Sequence, residues 1–173
     1  MRDKIKTRKQ LQTLIKGLRA RGKRIVFTNG CFDLLHVGHV RYLKKAKTFG
    51  DILIVALNSD KSIHLIKGPQ RPINPEKARA EVLVALNSVD YVTLFDEPDP
   101  QNIIAALLPD VLVKGSDWSK NRVIGKDMVE ARGGKVITLP VVPHVSTTRI
   151  IGDIIKKYGK TQTDSGTTSH RKA

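Results

Sequence analysis

Cysteine is almost missing: Cys31 is alone among 173 residues, which excludes an internal disulfide and points to a reducing compartment. Aromatic side chains are scarce at 5%, which weakens any reading as a protein that binds nucleic acid by stacking on its bases. No apolar run approaches the roughly 18 residues of a membrane-spanning helix. The opening MRDKIKTRKQ also has no signal-peptide apolar core. A cytoplasmic location with no membrane partner is therefore expected. Acidic residues are short as well, 16 against 31 Lys and Arg, giving a formal charge of +15.

That charge invites a nucleic-acid reading until its distribution is seen. Residues 1–24 carry a net +9 and residues 156–173 a net +4, leaving +2 for residues 25–155. The excess belongs to the ends, where it either solvates the termini or meets an anionic surface, and no nucleic-acid partner is expected. Hydrophobic residues make up 40% of the chain, enough for a sizeable core in one domain. Three regions are expected: a basic N-terminal helix over 1–22, a catalytic domain over 23–158, and a disordered polar tail over 159–173.

Within the middle region the pattern is repetitive. IVFT (25–28), ILIVAL (52–57), YVTLF (91–95), VLVK (111–114) and KVITLP (135–140) are short continuous apolar runs, suited to strands buried on both faces. Helical patterns lie around them at 7–20, 37–48, 75–87, 100–108, 124–132 and 147–157. Pro69, Pro72 and Pro75 mark a loop. The expected fold is α/β: a Rossmann-like, doubly wound, five-stranded parallel sheet in three layers. In such a sheet ligands sit beyond the carboxyl ends of the strands, where the strand order reverses.

The segment TNGCFDLLHVGHVRYLKKAK (28–47) leaves the first of these strands and enters a helix. Gly30 and Gly38 permit tight turns and close approach of a ligand to the backbone. His36 and His39 stand three apart at the helix entrance, where free N–H groups and the dipole favour an anion. Imidazoles there can donate to a phosphate and to the charge that builds during its transfer. With Asp33 they could also supply three metal ligands, but no further cluster completes that set. Cys31 reads as a small residue, since no base accompanies it.

Other strand exits carry matching chemistry. Lys67, Gly68 and Arg71 form a cationic Gly/Pro loop, Lys67 suiting a phosphate as a point charge and Arg71 as a fork, and Arg79 lies one turn into the following helix. VKGSDWS (113–119) offers Lys114, Gly115, Asp117 and Trp118: a cation, a carboxylate for ribose hydroxyls, and an aromatic that is either core or a face for a base. Ser146, Thr147 and Thr148 in VSTTRII read as a helix N-cap and equally as a phosphate cradle.

GCFDLLHVGH resembles the HxGH signature of the nucleotidyltransferase superfamily. Class I aminoacyl-tRNA synthetases, which carry a relative of it, need a KMSKS loop that is absent here. TNGCFDLLHVGHVRYL, DILIVALNSD, KGPQRPINP, VDYV, LPDVLVKGSDW and STTRII further resemble, in order and spacing, the adenylyltransferases acting on D-glycero-D-manno-heptose 1-phosphate. The resemblance implies that His36 and His39 are catalytic. It also implies that Gly30, Cys31, Phe32, Gly38, Lys114, Gly115, Asp117, Trp118 and Ser146 to Thr148 bind the nucleotide. Asp33, Lys67, Arg71 and Arg79 would then meet the substrate phosphate.

The implied reaction joins AMP from ATP to heptose 1-phosphate, giving ADP-heptose and pyrophosphate for lipopolysaccharide core biosynthesis, with Mg²⁺ accompanying the ATP and no metal ligands assigned. In many bacteria such an enzyme is fused to a ribokinase-type sugar kinase. A kinase does not fit in 173 residues, so a stand-alone form served by a separate heptose kinase is expected, as is a homo-oligomer. The alternatives are a glycerol-3-phosphate cytidylyltransferase and, from another class, a non-catalytic basic binding protein.

Overall fold

The computed structural model describes residues 2–116 and 123–159. Five strands form one all-parallel sheet: β1 (Ile25–Gly30), β2 (Ile52–Asn58), β3 (Tyr91–Phe95), β4 (Val111–Gly115) and β5 (Lys135–Leu139), in the order β3-β2-β1-β4-β5. The helices are α1 (Arg8–Ala20), α2 (Val37–Lys47), α3 (Asp60–Lys67), α4 (Glu76–Val84), α5 (Gln101–Leu107), α6 (Lys126–Glu130) and α7 (Thr147–Tyr158). The doubly wound α/β architecture expected from the apolar runs is thus the one observed. Among the described residues no helix is long and apolar enough to cross a membrane.

Continuous apolar runs arise because successive strand residues feed opposite faces, and both faces are covered. Val26, Leu53, Val55, Leu57, Val111 and Val113 point into one core with Leu43 and Ala46 of α2 and Ala80 and Leu83 of α4. Ile25, Phe27, Ile54, Ala56 and Leu112 point into the other, with Leu11 and Ile15 of α1, Ile103 and Leu107 of α5, and Val129 of α6. Three layers result.

Two features depart from the sequence reading. The basic N-terminal helix was expected as a region apart, yet α1 is set by a Thr7 capping box with Gln10 and lays its fully buried Leu11 onto the second core. Its basic residues are the outer face of an integral helix: Arg8 pairs with Glu97 at 2.7 Å and Arg19 with Asp110 at 3.5 Å. The second departure is α3, which occupies a stretch where no helix was expected. Ser59 caps it through Ser62 N at 3.2 Å and Gly68 ends it at φ 86°. Its eight residues bury only Ser62 and Ile63, so they carry little helical periodicity.

Topology places the site. β1 aligns with β2 over six residues, Ile25 with Ile52 through Gly30 with Leu57. With β4 it pairs only at Val26–Val111 and Phe27–Leu112. The chain winds to β3 on one side before returning to β4 on the other, so the strands part beyond these pairs at the switch point, where α/β sheets bind ligands.

Leu11→Ala is expected to lower unfolding stability in urea by about 2–5 kcal/mol, the range for truncating a buried leucine. A midpoint unchanged from the parent protein would mean that α1 is an appendage.

Candidate active site

The carboxyl ends of β1, β2, β4 and β5 open into one cleft of about 500 Å³. Gly30, Cys31, Phe32, Asp33, His36, Gly38, His39, Lys67, Arg71, Lys114, Gly115, Ser146, Thr147 and Thr148 all line it. Residues separated by more than a hundred positions are brought together because every strand of a parallel sheet ends on the same edge. Asp117 and Trp118 lie outside the described residues, as does the expected tail beyond Gly159.

At the exit of β1, Phe32 sits at φ 43°, in the left-handed region that a bulky side chain seldom occupies. Its ring packs where a Cβ on Gly30 would come within 3.0 Å, and it lies 5.1 Å from the His39 ring. His36 is the N-cap of α2. Its ring stacks on His39 with centroids 3.8 Å apart and planes at 17°. A Cβ on Gly38 would meet the His36 ring at 3.0 Å, so the glycine of HVGH is what lets the two imidazoles stack.

Burial lowers the pKa of His36, and burial, then the charges of His36 and Lys67, lowers that of His39 to about 4. Both rings are therefore neutral donors at pH 7, and their Nδ1 atoms are buried without a hydrogen-bond partner among the described residues. An anion in the cleft would oppose this shift by favouring the protonated rings. Burial pushes the Cys31 thiol up, against the pull of Lys67, Arg79 and Arg71, so it is no nucleophile at neutral pH.

Two expected phosphate ligands have other work. Arg79 was expected to turn back to the site, but its side chain is 0% exposed. Its guanidinium donates to the carbonyls of Asn74 (2.9 Å), Cys31 (2.6 Å) and Asn58 (2.9 Å) and to the Asp60 carboxylate (2.8 Å). It ties the exits of β1 and β2 to the proline loop and has no reach into the cleft. Asp33, likewise expected at the phosphate, accepts from Arg71 Nε (2.7 Å) and from the backbone of Ile73 (2.8 Å) and Asn74 (3.1 Å). It aims Arg71 rather than meeting a phosphate, whose like charge it would repel.

At the fourth exit, Lys114 donates to the Asn29 side chain across the gap between β4 and β1. At the fifth, Ser146 caps α7 by accepting from Arg149 N at 3.2 Å, and the Thr147 hydroxyl donates to Leu34 O at 3.4 Å. The cradle is therefore chiefly the backbone N–H groups of Thr147 and Thr148, which have no partner among the described residues, together with the Ser146 hydroxyl proton.

The sequence reading passed over Asn29, Asn58 and Tyr42. Tyr42 follows His39 by three residues on α2 and its hydroxyl shares a proton with Thr28 at 2.7 Å; that spacing on the helix was the available signal. Among the described residues no cluster of three His, Cys, Asp or Glu side chains could hold a metal ion.

The model of the cytidylyltransferase-like family matches residues 27–157. The bifunctional protein HldE of Syntrophotalea carbinolica is 52% identical over 156 residues, 90% of this chain but 32% of its own length. The bifunctional protein HldE of Geotalea uraniireducens is 54% identical over 151 residues, 87% of this chain and 31% of its own length. The chain thus spans about a third of the length of the curated relatives it matches. Among solved structures, the lipopolysaccharide core biosynthesis protein from Thermoplasma volcanium is 29% identical with a TM-score of 0.58, covering 72% of this chain and 100% of that one. The pantoate-beta-alanine ligase of Francisella tularensis, solved with Beta-gamma ATP and Beta-alanine, shares the fold at 18% identity and a TM-score of 0.58, covering 94% of this chain and 81% of that one.

NMR titration of the free protein should find His39 protonating near pH 4 and His36 below its ordinary 6.5. The unfolded chain binds these protons more readily, so the histidines should lower stability as pH falls from 6.5 towards 4. A His39 titrating at 6.5 would contradict the buried stack. Arg79→Leu should destabilise by about 3–5 kcal/mol in urea, since it strands carbonyls and a carboxylate that the guanidinium satisfies. Full stability with only a raised KM for a phosphate substrate would instead make Arg79 a ligand.

Proposed function

Because the chain belongs to the cytidylyltransferase-like family, we propose that it is a nucleotidyltransferase that joins AMP from ATP to D-glycero-D-manno-heptose 1-phosphate. The products are ADP-heptose and pyrophosphate. One observation carries the chemistry: the stacked His36–His39 pair shares a cleft with the free N–H groups that begin α7 and with Lys67, Arg71 and Lys114. That set suits a triphosphate and a second phosphate, and offers no activated nucleophile for a covalent intermediate.

An oxygen of the sugar phosphate attacks the α-phosphorus in line, and the bond from that phosphorus to the bridging oxygen of the pyrophosphate breaks. A phosphate monoester is already largely ionised at pH 7, its second pKa being about 6, so no general base is needed. Catalysis reduces to positioning and charge stabilisation. His36 and His39 donate ring N–H groups to the α-phosphate oxygens as charge builds there. The first turn of α7 holds the departing phosphates through the N–H groups of Thr147 and Thr148. Arg71, aimed by Asp33, and Lys67 meet the incoming sugar phosphate, and Lys114 stands at the nucleotide's side of the gap.

The cleft's donor set fits Mg²⁺ that arrives with the nucleotide, because Asp33 is engaged with Arg71 and Asp99 accepts from Gln101 N at 2.9 Å. Such an ion would be held by phosphate oxygens and water, supplying charge neutralisation. The sugar phosphate would come from a kinase in the cytoplasm, and the product would serve lipopolysaccharide core assembly. This reading is supported by the half-identical stretch shared with the HldE proteins and by the likeness to a lipopolysaccharide core biosynthesis protein. The polyol-phosphate cytidylyltransferase remains the rival for the same site.

His36→Ala and His39→Ala should each lower kcat by about 10²–10³, as loss of one transition-state donor does, with the fold retained. Pyrophosphate release assayed with ATP, CTP and GTP against heptose 1-phosphate and glycerol 3-phosphate should be greatest for ATP with heptose 1-phosphate. Release confined to CTP with glycerol 3-phosphate would hand the site to the rival. No release with any pair would leave a binding protein.

A further inference from the structure

Two carboxylates line the cleft among the described residues, Asp33 and Asp99. Asp33 is taken up by Arg71 and by the backbone of Ile73 and Asn74. Asp99 is only half used. Its Oδ1 accepts from Gln101 N at 2.9 Å, while its Oδ2 has no hydrogen bond and no ion pair among the described residues. A carboxylate repels the phosphates for which the rest of the cleft is suited. The free oxygen is fitted instead to a neutral donor, and a hydroxyl given to a carboxylate makes a short, charge-assisted bond.

The placement of Asp99 indicates which part of a ligand it meets. It lies in DEPDP (96–100), between β3 and α5. Ser62 of α3 donates its hydroxyl to Glu97 O at 2.7 Å, and Ser59 N donates to Phe95 O at 2.9 Å. The loop is thus fastened to the helix that ends at Lys67. From α1, Arg8 pairs with Glu97 at 2.7 Å. Pro98 and Pro100 fix their own φ, and Pro100 disfavours the helical region for Asp99, so the loop has little freedom. β3 is the sheet edge on the β2 side, whereas α7 follows β5 at the other edge. Asp99 therefore stands on the Lys67 side of the cleft, apart from the N–H groups of Thr147 and Thr148.

Resting on the reading that Lys67 and Arg71 meet the phosphate of the second substrate, we propose that Asp99 is a specificity residue that accepts a hydroxyl from the carbon skeleton attached to that phosphate. The cleft would then select polyhydroxylated phosphate monoesters over simple ones. Cations alone cannot make that choice, since every phosphate ester offers them the same charge. A fixed acceptor can, because a ligand without the hydroxyl displaces water from the carboxylate and gives nothing back.

NMR-monitored binding titrations of the full chain test this without turnover, using heptose 1-phosphate, methyl phosphate, which carries no hydroxyl, and ATP. Asp99→Ala should weaken heptose 1-phosphate by about 10–100-fold, the worth of a hydrogen bond to a charged acceptor. Methyl phosphate should bind that variant as well as the parent or more tightly, because a like charge has gone. Asp99→Asn, which keeps an acceptor for Gln101 N, should shift both ligands in the same directions and guards against a folding defect. A merely structural Asp99 would weaken both ligands alike. Arg71→Ala should weaken both, which marks the shared phosphate position. If Arg71→Ala weakens both but Asp99→Ala weakens them equally, or neither, the proposal falls while the phosphate reading stands. Asp99→Ala that weakens ATP and spares heptose 1-phosphate would give the carboxylate to the ribose and also overturn it. A parent chain that binds neither phosphate ester, or Arg71→Ala that spares both, would overturn the phosphate reading and the proposal with it.

Discussion

β4 is held against β1 by only two residue pairs, Val26 with Val111 and Phe27 with Leu112, and the opening beyond them is the constraint on which the site depends. A parallel sheet that winds outward from its centre in both directions must part its connections at one place. Here that place lies between the loop carrying His36 and His39 and the exit of β4. The Lys114–Asn29 bond crosses the gap, so the parted strands are linked by side chains that a ligand can also use. The near-neutral sequence between residues 25 and 155 is compatible with this arrangement. What matters for a triphosphate is that a few cations and free N–H groups meet at one opening, not that the whole domain is basic.

A second constraint keeps the opening in shape. Arg79 is a fully buried cation, and burial of a charge is tolerated only when every donor is satisfied. Its three acceptor carbonyls belong to Cys31, Asn58 and Asn74, one from each of the segments that frame the Arg71 side of the cleft. Asp33 performs the converse task, gathering the backbone of Ile73 and Asn74 and turning Arg71 towards the cleft. One buried cation and one buried anion thus stiffen a loop rich in proline, where backbone polar groups would otherwise need water.

The opposite wall is built differently. α7 brings its N-terminus to the cleft but leaves its apolar stripe outside the cores that hold the other helices. The histidine side rests on a ring stack, Phe32 against His39 and His39 against His36, whereas the first turn of α7 is tied to the loop after β1 by the Thr147 hydroxyl, which donates to Leu34 O at 3.4 Å.

Much of this was legible in the residues. The apolar runs at 25–28, 52–57, 91–95, 111–114 and 135–140 specify buried parallel strands, because only a two-sided sheet tolerates unbroken hydrophobic sequence, and they lie within a residue or two of the observed strands. GCFDLLHVGH and STTRII announce anion chemistry at helix starts, and the parallel topology then requires those starts to share an edge. Three matters were left to the tertiary structure. α3 is short and buries two residues, so its periodicity is too faint to read. A basic amphipathic helix looks the same in sequence whether it is appended or packed, and only Leu11 seated in the second core makes α1 integral. Arg79 and Asp33 have the residue types of phosphate-site ligands, but a charged side chain's role is set by the acceptors and donors around it. Apart from the Asn74 carbonyl beside Arg79, those come from positions 19 to 48 residues away, beyond the reach of local pattern, and they turned two expected ligands into the struts of the cleft.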